Sequence, residues 1–155
     1  MMKMIVVTTL AGALLAAPLA HASGSIDEAR QAVDIGADYG ITHFRSIELE
    51  DDDDDRMEIE GWVDNDWSVE LDVNGDGSIR KEERRKHSDG PWGLSAADVR
   101  NYIDASTEAG MTRIEEIKVN ASGYVEVEGY ADNGQELEVD FRSGSVEPVK
   151  VERDD

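Results

Sequence analysis

An α+β fold built from two tandem helix-plus-antiparallel-sheet units, each ordered α-β-β-β, is what this sequence predicts. Three observations carry the expectation. The chain matches itself at an offset of 70: Ser25-Ile-Asp-Glu-Ala-Arg30 aligns with Ser95-Ala-Ala-Asp-Val-Arg100, and the match runs without a gap to Glu50 and Asn120. After a slip of two residues, Glu58-Ile-Glu-Gly61 aligns with Glu126-Val-Glu-Gly129, and Glu70-Leu-Asp72 with Glu138-Val-Asp140. One further slip aligns Gly77-Ser-Ile79 with Gly144-Ser-Val146. An ordered series with so few slips reads as two copies of one supersecondary unit. Each copy also opens on apolar residues at helical spacing, and continues into segments that alternate apolar and acidic residues with period 2.

Taken in order, residues 1–22 read as a cleaved secretory signal. Lys3 is the basic start, Met4–Leu19 is apolar or small, and Ala20-His21-Ala22 is a small-x-small cleavage pattern. The apolar run is short for a membrane span, and no membrane insertion is expected after cleavage. The first copy covers 23–87. Ser25 with Glu28 is a capping-box pattern, Ile26, Ala29, Val33 and Ala37 share one helix face, and Gly40 is a natural stop. Short strands follow around Ile47 and Leu49, through Met57, Ile59, Gly61 and Val63, and through Val69, Leu71 and Val73. Residues 88–94 form a linker, Ser88-Asp-Gly-Pro-Trp-Gly93 being rich in turn formers. The second copy, 95–155, repeats the pattern with Ala96, Val99 and Ile103, then Ile117 and Val119, then Val125, Val127, Gly129 and Ala131, then Leu137, Val139 and Phe141. Alternation implies that each sheet buries one face, under the helix, and solvates the other.

Composition excludes several functions. The chain has 155 residues, 36 Asp+Glu against 15 Lys+Arg, and a net charge of -21. Removing residues 1–22, which carry one basic residue and no acid, leaves 133 residues at -22. So acidic a surface argues against nucleic acid as a partner, because that affinity rests on Lys and Arg meeting phosphates. There is no cysteine, hence no disulfide and no thiolate chemistry. His43 and His87 stand alone without a second His at ligand spacing. The Glu58/Glu60 and Glu126/Glu128 pairs alternate along strands as solvated faces do. No catalytic constellation emerges, and the protein reads as not an enzyme.

The stretch Tyr124-Val-Glu-Val-Glu-Gly-Tyr-Ala-Asp-Asn-Gly-Gln-Glu-Leu-Glu-Val-Asp140, followed by Ser143-Gly-Ser-Val146, resembles the signature of the PepSY domain family. The first copy carries it with an altered final turn. The resemblance implies the α-β-β-β pattern, an exported or membrane-attached setting, and a non-enzymatic role as a protease-modulating or ligand-binding module of the cell envelope.

One segment points to a ligand. Asp72-Val-Asn-Gly-Asp-Gly-Ser-Ile-Arg-Lys-Glu-Glu83 fits the twelve-residue calcium loop of EF-hands. Asp72, Asn74 and Asp76 hold places 1, 3 and 5, Gly77 the sharp turn, Ser78 a backbone carbonyl at place 7, and Glu83 the bidentate place 12. A hard cation needs six to eight oxygens converging at about 2.3–2.6 Å, and such spacing supplies them. Two departures stand out: a strand replaces the incoming helix, and Arg80 takes place 9. Residues 81–86 can form a helical turn after the loop. The competing reading is a hairpin turn using Asn-Gly and Asp-Gly. The six carboxylates Glu50–Asp55 read as a solvated loop or a weak cation patch. Arg80, Lys81, Arg84, Arg85 and Lys86 form a basic cluster that offsets nearby acid. Trp62, Trp67 and Tyr130 fall on the outer sheet face, where a packing interface between the copies is expected.

The functional expectation is an exported protein, periplasmic rather than extracellular, that binds a hard cation of the calcium kind through Asp72, Asn74, Asp76, Ser78 and Glu83. The alternatives are an envelope protein-interaction module without a metal, and an acidic surface adapted to salt.

Overall fold

The computed structural model describes residues 24–50 and 56–154. The signal sequence read at 1–22 and the aspartates 51–55 lie outside the described residues. Helix α1 (Ile26–Tyr39) starts at Ser25, whose hydroxyl accepts from the Glu28 amide at 3.2 Å while the Ser25 amide donates to the Glu28 carboxylate at 2.9 Å. Both arms of the capping box are therefore made, satisfying two amide groups that the first helical turn leaves free. Gly40 ends the helix at φ 116°, a left-handed geometry that glycine reaches without a Cβ clash. Helix α2 (Ala96–Glu108) repeats the start with Ser95 accepting from Asp98.

The strands are β1 (His43–Glu50), β2 (Arg56–Trp62), β3 (Trp67–Val73), β4 (Ile79–Lys86), β5 (Met111–Val119), β6 (Tyr124–Ala131), β7 (Glu136–Arg142) and β8 (Lys150–Asp154). They form one antiparallel sheet in the order β4-β3-β2-β1-β5-β6-β7-β8. The α+β class is thus as expected, but the architecture differs in two respects. Each half has a fourth strand, β4 or β8, and the halves join through β1 and β5 into a single sheet instead of two. Residues 81–86, read as a possible helical turn, run as β4: in the hairpin the edge of β3 offers its backbone donors and acceptors to them, and a ladder satisfies those groups.

Both helices lie on the same face of the sheet and pack against each other. The core between them and the sheet includes Ala29, Val33, Phe44, Ile47, Ile59, Leu71, Ile103, Ile114, Val127 and Phe141. Arg30 pairs with Asp104 at 2.8 Å and Arg100 with Asp34 at 2.6 Å, a reciprocal arrangement at an offset of 70. These pairs are solvent-exposed, so a double-mutant cycle on either should return a coupling below about 1 kcal/mol. The same correspondence governs the chain segments entering each helix. Leu94 exchanges backbone hydrogen bonds with Phe44, and the Gly24 carbonyl accepts from the Ile114 amide at 2.6 Å. Each segment thereby occupies the sheet plane where β1 and β5 diverge on either side of their pairing at 46–48 and 116–118.

Candidate functional site

Among the described residues no helix covers the other face, which carries the alternate, acidic residues of each strand. The register decides what those acids meet. Asp72 stands opposite Glu58, Glu58 opposite Glu48, Glu48 opposite Glu116, Glu116 opposite Glu128, Glu128 opposite Glu138, and Glu138 opposite Glu152. A row of seven carboxylates therefore crosses seven successive strands, with neighbouring strands about 4.8 Å apart. Lys81 on β4 closes the row beside Asp72. A second row runs Asp140, Glu126, Lys118, Ser46, Glu60, Glu70, Glu83, with Lys150 beside Asp140.

Like charges set directly opposite one another destabilise a sheet, and the titration of the rows reflects it. Burial first, then neighbouring carboxylates, raise Glu48 and Glu58 above the ordinary range, and the same causes raise Asp140. Glu128 is pushed up to about 7, chiefly because its protonated carboxyl donates a hydrogen bond to Glu126, and then by burial. Glu126 moves down, held ionised mainly by the hydrogen bond from Lys118. Each raised carboxyl lends stability that is present below its ordinary value and lost as pH rises through the folded value. For Glu128 that loss runs from the ordinary glutamate value up to about 7 and is complete above it. Thermal melts in metal-free buffer should show wild type losing stability between about pH 5 and pH 8, and Glu128→Gln should flatten that decline.

Within these rows Glu126, Glu138 and Asp140 place carboxylate oxygens within 4.8 Å of one another. Two ammonium groups stand among them, Lys118 at 2.8 Å from Glu126 and Lys150 at 3.0 Å from Glu138. An incoming cation would have to displace those lysines from the carboxylates.

The calcium-type loop takes the form of the β3–β4 hairpin. Its turn brings Asn74, Asp76 and Ser78 together. The Asn74 amide donates to the Ser78 carbonyl at 2.9 Å, the Gly77 amide to the Asn74 carbonyl at 2.8 Å, and the Ser78 amide to the Asp76 carboxylate at 2.9 Å. Gly77 adopts φ 85°. Hydrogen bonds from the Ser78 hydroxyl and amide lower the Asp76 pKa, so it is ionised at neutral pH. The other two expected ligands stand apart from the turn. Asp72 accepts hydrogen bonds from Arg80, and Glu83 sits within β4, opposite Glu70 and 3.2 Å from Lys81. Convergence of all five residues on one ion requires Arg80 to release Asp72 and Glu83 to leave its place in the ladder.

The aromatic residues of the outer face separate. Trp62 is fully buried, its ring 4.6 Å from that of His87 between centroids, a contact between residues of the first copy. Trp67 is exposed, and Tyr130 is half-buried beneath the Arg113 guanidinium. The carboxylate rows are what sequence reasoning missed. Their members were visible as alternating acids, but the row forms only once β1 is known to pair with β5.

No family model matches this chain, and no curated protein matches it. One solved structure, described as a "putative lipoprotein" from Clostridium difficile 630, is similar to it with a TM-score of 0.46 and 14% identity, over 79% of this chain and 90% of that one. Among the described residues no helix is long and apolar enough to cross a membrane.

Proposed function

We propose that this chain is an exported, non-enzymatic protein of two PepSY-like copies that binds hard divalent cations of the calcium kind on its open sheet face. The row of seven carboxylates from Asp72 to Glu152 is the observation that carries this reading. A divalent cation between carboxylates of adjacent strands replaces repulsion with attraction, and carboxylate oxygen is the ligand such ions prefer. Two places on the face gather oxygen most closely: the Glu126, Glu138 and Asp140 cluster, and the Asn74–Ser78 turn with its neighbour Asp72. A cation site that tightens the hairpin or the sheet would stabilise the protein in the envelope, where the periplasm is the compartment proposed.

Calorimetric titration with Ca²⁺ in constant ionic strength, on wild type, Asp76→Ala and the double variant Glu126→Gln/Asp140→Asn, tests the assignment. Cation binding is expected in wild type, and its loss in one of the two variants identifies the place. Heat of binding that is absent from wild type, or that survives in both variants combined, contradicts these sites.

A further inference from the structure

The chain contains two Asn-Gly steps, Asn74-Gly75 in the β3–β4 turn and Asn133-Gly134 in the β6–β7 turn, and both glycines are exposed. An asparagine before glycine can lose its amide nitrogen without an enzyme. The glycine backbone nitrogen gives up its proton and attacks the asparagine Cγ. A nitrogen–carbon bond forms, and the side-chain nitrogen takes up a proton and leaves as ammonia. Water then opens the cyclic imide at one of its two carbonyls. The products are aspartate and its isomer, in which the main chain runs through the side chain. No oxidant, reductant or cofactor enters. The two reacting groups are joined covalently, so the attack needs no encounter, only the right geometry. Glycine assists because it has no Cβ to shield the nitrogen or restrict its backbone. The other asparagines of the described residues, Asn65, Asn101 and Asn120, precede aspartate, tyrosine and alanine.

The structure separates the two Asn-Gly steps. Each turn closes with a bond from its fourth residue to its first, as β-turns commonly do. In the β6–β7 turn Ala131 is the first residue and Asn133 the third, so the glycine after it is the closing donor. The Gly134 amide donates to the Ala131 carbonyl at 3.0 Å, and Asn133 Oδ1 accepts from the Gln135 amide at 3.0 Å. The nucleophile and the attacked carboxamide are both tied into the turn.

In the β3–β4 turn Asn74 is itself the first residue. The closing donor is Gly77, whose amide reaches the Asn74 carbonyl at 2.8 Å. Gly75 stands second, where the amide points away from the turn. Among the described residues nothing accepts a hydrogen bond from it. The Asn74 carboxamide has one tie, from Nδ2 to the Ser78 hydroxyl at 2.9 Å, and it engages the departing nitrogen and not the attacked carbonyl.

We infer that Asn74 is a site of spontaneous deamidation in the folded protein, and that the fold protects Asn133 from the same reaction. Conversion adds a negative charge to the turn that already holds Asp76, beside Asp72. The isomer also lengthens the main chain at the residue on which Gly77 closes the turn. The inference does not rest on cation binding, because Asn74 and Gly75 are joined whether or not an ion is present.

Peptide mass mapping of the protein, aged in mildly alkaline buffer with EDTA, tests it. The exchange of an amide NH₂ for OH is followed at Asn74 and Asn133 together, in the folded state and in urea. In urea the two sites should convert at similar rates, since both precede glycine. In the folded protein Asn74 should convert at least about ten-fold faster than Asn133, which must first give up two hydrogen bonds. Anion exchange should show a more acidic species growing at the rate measured for Asn74. Equal rates at the two sites in the folded protein would overturn the inference. So would an Asn74 that stays intact in the folded protein over a time in which the unfolded chain converts.

Discussion

A triple variant, Glu48→Gln/Glu58→Gln/Glu128→Gln, is expected to be more stable than wild type in metal-free buffer near pH 7.5, by about 1–3 kcal/mol. Each substitution removes one carboxylate from the seven-membered row and relieves both of its neighbours. Glu48 loses its repulsion with Glu58 and Glu116, Glu58 that with Asp72, and Glu128 those with Glu116 and Glu138. Glutamine keeps the side-chain length and can hydrogen-bond across the strands. Chemical denaturation with an unchanged slope checks it, because the slope reports whether the surface exposed on unfolding is the same. Most core or polar substitutions destabilise. A gain from three changes on one face would therefore locate unrelieved charge there, and a loss would mean that the carboxylates are already satisfied.

Gly129→Ala is expected to have the largest destabilising effect of any single methyl addition, about 3 kcal/mol or more. A Cβ at Gly129 would lie 1.9 Å from the Arg113 carbonyl oxygen and 2.9 Å from its carbon. Those atoms are backbone of the paired strand β5, so no side-chain rotation can make room. The register of β5 against β6 shifts beside this point, between Met111 and Arg113 and between Ile114 and Glu116. The close approach of the two backbones is what that irregular pairing needs. Gly61 plays the same part against His43 in the first half, where a Cβ would lie 2.5 Å from the carbonyl oxygen. A thermal melt of Gly129→Ala beside Val127→Ala, a cavity-forming change in the same strand, distinguishes a backbone clash from lost packing.

Those two glycines show how far the sequence could be read. Glu58-Ile-Glu-Gly61 and Glu126-Val-Glu-Gly129 stood out as a repeated signature, and both glycines turn out to sit where two strand backbones touch. The helices, their caps and the six alternating strands were legible because each rests on local periodicity. The fourth strands were not. Ile79–Lys86 carries one apolar residue among eight and Lys150–Asp154 one among five, so neither offers the alternation that marks a half-buried strand. Edge strands of this kind are protected by charge and leave no hydrophobic signal. The join between β1 and β5 was likewise invisible, being a long-range pairing that no local pattern encodes. For the same reason the calcium-type loop was seen as a ligand set by spacing alone. The β4 ladder fixes Glu83 opposite Glu70, and Arg80, the departure noted at place 9, is the residue that engages Asp72.

Cation binding at the two places is tested most directly by the melting temperatures of wild type and of the combined variant Asp76→Ala/Glu126→Gln/Asp140→Asn with Ca²⁺ and with NaCl at matched ionic strength. A ligand that binds the folded state raises stability by mass action, whereas screening depends on ionic strength alone. Ca²⁺ is expected to raise wild type well beyond NaCl, by several degrees, and most of this excess is expected to disappear in the variant. Equal shifts from the two salts in wild type, or an undiminished calcium excess in the variant, would contradict it.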